Sequence, residues 1–174
     1  MEKMNLRHLL VLLAGVIVLS GCSKATKEDL WNDAVEAQKK GDYAESVEGY
    51  EKLLKEYPTS DRAPEAMYAI GTICQSHTHE PYKAIEYYRK VIAQYPSHPT
   101  APSAAFLIGF IYNNDLKKSD SAKIAYEEFL AKFPGNPMVE SAQFELKTLG
   151  KDAGQILNEQ ASAAPKPAGK KPRR

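Results

Sequence analysis

The sequence predicts an all-α protein, an α-solenoid of three helical hairpins closed by a C-terminal capping helix. The first observation is a 38-residue repeat, visible at Tyr50, Tyr88 and Tyr126 and again at Pro58, Pro96 and Pro134. The second is that apolar residues within each unit recur at i, i+3 and i+4, which places them on one helix face. A single hairpin buries such a face poorly. Successive units must therefore stack to bury it.

Seven helices follow from this pattern. The predicted bounds are about 26–39, 42–57, 61–77, 81–95, 99–113, 119–133 and 137–149. The first six pair into hairpins, and the seventh covers the open end of the stack. Residues 26–149 form the predicted solenoid, and residues 150–160 are predicted to be a short helix or a fraying end.

Local signals mark where the helices begin, turn and end. Thr26 followed by Asp29 is typical of a helix start, and Gly41-Asp42-Tyr43 is typical of a turn that leads into a helix. Proline lacks an amide hydrogen and disfavours helical geometry at the residue before it, so each repeated proline ends a second helix. Small residues mark the predicted close crossings of two helices. They are Ala34, Gly71 and Gly109.

Charge divides the chain into unlike parts. The whole chain has a net charge of +1, which argues against a dedicated nucleic-acid binder. Residues 22–160 contain 16 basic and 21 acidic residues, whereas residues 161–174 contain five basic residues and no acid. Because the 161–174 segment has no apolar side chain larger than alanine, we expect a disordered basic tail.

The N-terminus has the pattern of a secretory signal peptide at residues 1–21. Lys3 and Arg7 precede an unbroken apolar run of 11 residues, Leu9 to Leu19, and small residues follow. As a helix this run is only about 16 Å long, too short for a hydrocarbon core of about 30 Å. A transmembrane anchor is therefore not expected.

The segment Leu19-Ser20-Gly21-Cys22 resembles the lipobox of bacterial lipoproteins. The resemblance implies that Cys22 receives diacylglycerol and a fatty acyl group and becomes the first mature residue. Residues 22–25 are then a lipidated tether, and several acyl chains would hold the protein firmly on a membrane. Ser23 after the cysteine, by the same resemblance, suggests sorting to the outer membrane. No other cofactor is expected.

The repeats resemble tetratricopeptide repeats with elongated units. Trp31-Asn32-Asp33-Ala34, then Gly41-Asp42-Tyr43 and Tyr57-Pro58, resemble the first repeat of the BamD lipoprotein family. That family usually carries five repeats, against three and a capping helix here. The resemblance implies a scaffold at the periplasmic face of the outer membrane, acting in outer-membrane protein assembly. The alternative is a coordinator of cell-wall synthesis or division, because Tol-Pal-associated repeat proteins have similar units.

A partner-binding groove is predicted on the first helices of the units. Stacked hairpins form a concave surface that suits an extended peptide or a helix of an envelope protein. Aromatic residues recur there at equivalent positions, and they either pack between helices or form a ladder for apolar side chains of a partner. They are Trp31, Tyr68, Phe106 and Phe144. Neighbouring candidates are Glu65, Thr72, Gln75, Ser103, Phe110 and Asn113.

No catalytic constellation is recognisable, so we do not expect an enzyme. The chain has no Gly-rich phosphate loop, no His-Glu-x-x-His and no nucleophile elbow. Cys74, His77 and His79 are close in sequence, but Cys74 occupies a packing position of the repeat and no metal site is predicted. His98 stands where the other units have Ser60 and Asn136, which predicts a role in a turn or a cap.

The basic tail allows three interpretations. It is a solvated end, a contact with anionic lipid, lipopolysaccharide or peptidoglycan, or a contact with an acidic protein. Its five charges, Lys166, Lys170, Lys171, Arg173 and Arg174, would make such binding sensitive to salt.

Overall fold

Three helical hairpins followed by two further helices form the computed structural model, which describes residues 24–163. The helix bounds are α1 Lys27–Lys40, α2 Tyr43–Glu56, α3 Ala63–Ser76, α4 Pro81–Gln94, α5 Thr100–Phe110, α6 Ser119–Lys132, α7 Val139–Thr148 and α8 Ala153–Ala163. Helix α1 pairs with α2, α3 with α4 and α5 with α6, and α7 packs on α6. The predicted all-α solenoid is confirmed.

The first helix begins as predicted. Thr26 is the N-cap of α1, its hydroxyl accepts from the Asp29 amide at 3.1 Å, and the Asp29 carboxylate accepts from the Thr26 amide at 2.9 Å. This reciprocal capping satisfies two amides that a helix start leaves without partners. It fixes the point at which the chain enters the solenoid.

The turn inside each hairpin has a residue with a left-handed backbone at the same position in all three units. Gly41, His79 and Lys117 occupy equivalent positions of the repeat, and their φ angles are 86°, 55° and 53°. Glycine adopts this left-handed conformation at little cost, whereas histidine and lysine adopt it less readily. Only the glycine marked this turn in the sequence.

The connection between hairpins is also repeated, and it explains His98. Ser60 Oγ, His98 Nδ1 and Asn136 Oδ1 each accept from the backbone amide two residues further on, at 3.1, 3.3 and 2.9 Å. These local hydrogen bonds direct the chain from one hairpin into the next. The turn role predicted for His98 is confirmed.

One predicted helix changes its geometry before its end. The 99–113 segment is α-helical from Thr100 to Phe110 and then π-helical from Ile111 to Asp115. The Leu116 amide donates to the Ile111 carbonyl at 3.0 Å, which is the five-residue spacing of a π-helix. A pattern based on 3.6 residues per turn does not reveal such a local widening.

The C-terminal end also differs from the expected boundaries. Helix α8 spans Ala153–Ala163 and so enters the first three residues of the stretch predicted to be disordered. The predicted signal peptide, Cys22 and the rest of the basic tail lie outside the described residues. Within residues 24–163, no helix has both the length and the apolar character needed to cross a membrane.

The core is centred on one tyrosine in the second helix of each hairpin. Tyr50, Tyr88 and Tyr126 have at most 2% of their surface exposed. Gly71 and Gly109 make room for two of these rings, because a Cβ atom on either glycine would lie 2.6 Å from the facing tyrosine ring. The close helix crossings predicted at these two glycines are therefore present.

Replacing Tyr88 by alanine should lower the free energy of unfolding by about 3–5 kcal/mol, because the change removes a fully buried ring. Urea unfolding followed by circular dichroism measures this loss. Tyr82→Ala is the matched control, since Tyr82 is 57% exposed on the same helix. A loss below about 1 kcal/mol for Tyr88→Ala would contradict its place at the centre of the core.

Candidate functional site

The aromatic column predicted on the first helices makes a repeated contact inside the hairpins. In each hairpin the first-helix ring is half-buried and tilted against the buried tyrosine of the second helix. The ring centroids lie 5.3 Å apart in Trp31–Tyr50, 5.6 Å in Tyr68–Tyr88 and 5.5 Å in Phe106–Tyr126. These distances are in the range of favourable aromatic pairs. Other groups cover two of these rings further, because Arg62 Cζ lies 4.9 Å from the Trp31 ring centroid and the Phe129 ring meets Phe106 edge-on at 5.9 Å. Each first-helix ring nevertheless stays partly exposed.

Phe144 differs because the repeat stops at its helix. Within residues 24–163, no helix forms a hairpin with α7 in the way that α6 does with α5. The Phe144 ring therefore has no equivalent of Tyr126, and 49% of its surface is exposed. An aromatic side chain exposed at the end of an apolar column is suited to contact a partner.

Three phenylalanines form a groove at this end of the first-helix face. We call it the Phe144 groove; it has a volume of about 460 Å³. It is lined by Phe106 and Phe110 of α5 and by Glu140, Ser141, Phe144 and Glu145 of α7. Aromatic rings supply the floor and two carboxylates supply negative charge. The groove can therefore accept an apolar side chain that is flanked by basic groups.

Three polar residues that line the groove were not predicted, namely Glu140, Ser141 and Glu145. Glu140 and Glu145 flank Phe144 in sequence but occupy positions where the other units have proline, alanine or leucine. The repeat therefore contained no signal for them. Ser141 occupies the position equivalent to the predicted Ser103 in the next unit, so an extension of that column would have identified it. Ser103 itself is half-buried on α5.

Asn113 contacts the groove through Glu145. Its Nδ2 donates to Glu145 Oε2 at 3.3 Å. Its equivalent in the preceding unit, Gln75, instead accepts from the Tyr88 hydroxyl at 3.4 Å. Asn113 is turned towards α7, and Phe110 stands in place of Thr72, the other neighbour of the Tyr88 hydroxyl. The buried Tyr126 hydroxyl therefore has no hydrogen-bond partner among the described residues.

Burial has the largest effect on the pKa of the Tyr126 hydroxyl. It raises the pKa of Tyr126, and the charge of Glu145 raises it further. The phenol therefore stays neutral at physiological pH. A buried neutral hydroxyl without a partner is a local weakness beside the groove.

The remaining predicted groove residues lie in the middle unit and are held by internal contacts. The Thr72 hydroxyl donates to the Tyr68 carbonyl at 3.0 Å, and Gln75 contacts Tyr88 as described above. Glu65 Oε1 lies 3.4 Å from His98 Nε2, which links α3 to the turn before α5. The structure thus brings Phe106, Phe110 and Phe144 together, with Asn113 beside them. The other candidates do not line the Phe144 groove.

The Cys74, His77 and His79 side chains have separate surroundings. Cys74 is fully buried in the core, and burial raises the pKa of its thiol. His77 stacks on Tyr43, with ring centroids 3.8 Å apart. His79 is exposed in the turn between α3 and α4. Among residues 24–163, no three side chains of metal-ligand type are grouped to hold an ion.

The entry to the solenoid lies next to the predicted lipidation site. The Tyr57 hydroxyl donates to the Ala25 carbonyl at 2.7 Å, and Lys24 Nζ lies 3.5 Å from Glu56 Oε2. Residues 24 and 25 are therefore held on the first hairpin. Cys22 and the motif residues Leu19, Ser20 and Gly21 lie outside the described residues, so lipidation stays a prediction.

Three stacked helical hairpins with an aromatic first-helix face define a protein-interaction module of the tetratricopeptide class. The sequence profile of the outer membrane lipoprotein family YfiO matches residues 23–151. The chain belongs to this family. The predicted resemblance to BamD-type repeat lipoproteins is thereby confirmed.

Solved structures show the same fold. A tetratricopeptide repeat protein from Parabacteroides merdae matches with a TM-score of 0.59 and 17% identity, over 77% of this chain and 48% of that chain. This chain thus spans about half the length of the Parabacteroides protein. The Sgt2 TPR domain from Aspergillus fumigatus matches with a TM-score of 0.52 and 16% identity, over 84% and 88% of the two chains. No curated protein shows a significant match in sequence.

Tyr126→Phe should leave the free energy of unfolding unchanged or raise it by up to about 1 kcal/mol, because it removes a buried hydroxyl that has no partner. The matched variant is Tyr88→Phe, which should lower it by about 0.5–1.5 kcal/mol. The Tyr88 hydroxyl lies 3.4 Å from both Thr72 Oγ1 and Gln75 Oε1. Equal effects of the two variants in urea unfolding would contradict this difference.

Proposed function

We propose that this protein is a lipid-anchored scaffold at the periplasmic face of the outer membrane, where it holds an envelope protein for assembly. It acts by binding and not by catalysis. The Phe144 groove is the observation that carries the binding role, and membership of an outer membrane lipoprotein family supports the location. The partner is a protein segment, extended or helical, that lies along the first-helix face.

The anchor and the first hairpin are close together in this proposal. Lys24 and Ala25 contact α2 and Tyr57, and only three residue steps separate Ala25 from Cys22. A chain of that length spans about 10 Å at most. Acyl groups on Cys22 would therefore hold the solenoid directly at the membrane surface, with little freedom to move away from it.

The chemistry of the groove specifies the partner segment. Phe106, Phe110 and Phe144 favour an aromatic or aliphatic side chain, and aromatic contacts often dominate the energy of an interface. Glu140 and Glu145 favour a lysine or arginine beside it. The partner segment therefore combines an apolar anchor residue with basic neighbours.

Lipidation is tested by labelling cells with a palmitate analogue and separating their membranes. The natural protein should carry the label and sediment with the outer membrane. Cys22→Ser should lose the label completely. Cys74→Ser is the matched control, because Cys74 is buried in the core and its replacement should leave labelling intact. Labelled Cys22→Ser protein would contradict the anchor.

Partner binding is tested by crosslinking the natural protein in its own envelope and identifying the products by mass spectrometry. Recovery of a β-barrel assembly protein supports the proposed function. Recovery of murein synthases or Tol components favours instead a coordinator of cell-wall synthesis or division. Recovery of neither contradicts both assignments, and the predicted contact of the basic tail with anionic lipid or peptidoglycan is then examined.

Phe144→Ala should weaken binding of the recovered partner about tenfold, since loss of a central aromatic contact costs roughly 1–2 kcal/mol. Titration of the purified partner measures the change. Ile124→Ala is the control, because Ile124 is 57% exposed on α6 and does not line the groove. Unchanged affinity of Phe144→Ala would exclude the groove as the binding site.

A further inference from the structure

A second apolar recess lies on the face formed by the second helices of the units. We call it the Ala125 cleft; its volume is about 450 Å³. Its apolar lining comprises Ile92 of α4, Ala105 and Ile108 of α5, and Ala125, Phe129 and Ala131 of α6, and Glu128 and Lys132 of α6 add one charge of each sign. Ala105 and Ile108 are 8% and 6% exposed and form the floor. The volume is within the range of about 300–1,000 Å³ that is typical of ligand pockets.

The repeat explains why this recess is open. Ala125 and Tyr87 occupy equivalent positions of successive second helices. The Tyr87 ring is 9% exposed, and its hydroxyl donates to Glu51 Oε1 of α2 at 2.9 Å. A tyrosine therefore fills the space between α2 and α4. Alanine leaves the equivalent space between α4 and α6 unfilled.

The space between α2 and α4, which Tyr87 fills, is called the filled copy, and the Ala125 cleft is called the open copy. The filled copy indicates which chemistry fits the open copy. The wall residue Ile92 is the equivalent of Leu54 in the preceding unit, so both copies have an aliphatic side chain at that position. In the filled copy an aromatic ring packs between the two second helices, and Lys90 Nζ lies 4.3 Å from the Tyr87 ring centroid. A cation over a ring is a favourable contact. In the open copy Glu128 stands at the position of Lys90, and the cation beside the recess is instead Lys132, one helical turn further along α6.

The mouth of the Ala125 cleft is accessible from outside. Ala131 and Lys132 line it, and Ala131 has a side chain too small to cover the opening. Lys132 Nζ donates to the Ile92 carbonyl at 3.3 Å, which places the cation at the edge of the recess. A ring that enters from solvent can therefore reach the floor, and it then lies near the Glu128 carboxylate as well as the Lys132 cation.

We propose that the Ala125 cleft receives an aromatic side chain of a protein partner, in the place that Tyr87 takes between the preceding helices. This site is separate from the Phe144 groove, because α5 directs Phe106 and Phe110 to the groove and Ala105 and Ile108 to the cleft. Partners can therefore engage both faces of the third hairpin at once.

The first test uses p-cresol, the analogue of a tyrosine side chain, and methyl NMR of the alanines in the full mature chain. p-Cresol should shift the methyl signals of Ala105, Ala125 and Ala131 and leave that of Ala66, which is buried in α3, unchanged. 4-Methylcyclohexanol, which has a similar shape without the aromatic ring, should bind at least threefold more weakly. Shifts elsewhere, no shifts, or equal binding of the two probes would overturn the proposal.

Ala125→Tyr should fill the cleft from within, as Tyr87 does, and lower p-cresol affinity at least tenfold. Ile124→Tyr is the matched control, because it adds the same ring at the neighbouring, exposed position of α6 and should leave affinity unchanged. Undiminished affinity in Ala125→Tyr would overturn the assignment. Should this variant fail to fold, the methyl shifts of the natural sequence decide the question.

The partner is tested in intact cells with a photocrosslinking amino acid at position 128, which lines the recess and leaves Lys132 in place. A crosslinked protein should appear, disappear in Ala125→Tyr and persist in Ile124→Tyr. No crosslink, or a crosslink that survives Ala125→Tyr, would overturn the proposal. Phe144→Ala should leave this crosslink in place, so failure of the Phe144 groove and failure of the Ala125 cleft give different results.

Discussion

The contact between a buried second-helix tyrosine and a first-helix glycine sets the geometry of the hairpins. The Tyr88 ring packs on Gly71 and the Tyr126 ring on Gly109, and neither place has room for a Cβ atom. The first hairpin has a related solution, because Gly49 of α2 faces Ala34 of α1. Close approach of the helices then brings the first-helix aromatic ring against the same tyrosine. The aromatic column on the first-helix face is thus a consequence of how the core packs.

The functional site arises where this packing scheme ends. A repeat array buries its apolar faces between neighbours, so its last member keeps one face without a partner. Phe144 lies on that face. It continues the aromatic column, but among the described residues no second helix packs against it. The two carboxylates beside it, Glu140 and Glu145, replace apolar or proline residues of the earlier units. The last helix therefore combines a repeat-derived aromatic residue with charges that the repeat does not carry.

The third hairpin differs from the second at several equivalent positions of the repeat. Phe110 and Asn113 stand in place of Thr72 and Gln75, and the Tyr126 hydroxyl has no partner among the described residues. Ala125 stands in place of Tyr87 and leaves a recess. The α5 helix also continues into a π-helical turn. Such departures weaken internal packing and coincide with both proposed binding surfaces. Both proposed binding surfaces therefore lie at the C-terminal end of the stack, whereas the equivalent positions of the earlier hairpins are used for internal packing.

The sequence by itself determined the helices, their order and most of their ends, because these depend on neighbours a few residues away. Thr26 with Asp29, the repeated prolines and the equivalence of His98 with Ser60 and Asn136 all act through such local hydrogen bonds and steric limits. The aromatic column could also be predicted from the sequence, because the period of the repeat is visible without coordinates. Only the tertiary structure decided which rings are covered, that Glu140 and Glu145 flank a groove, and that Ala125 opens a recess. These features depend on contacts between helices far apart in the chain, and local periodicity does not specify the space that remains between them.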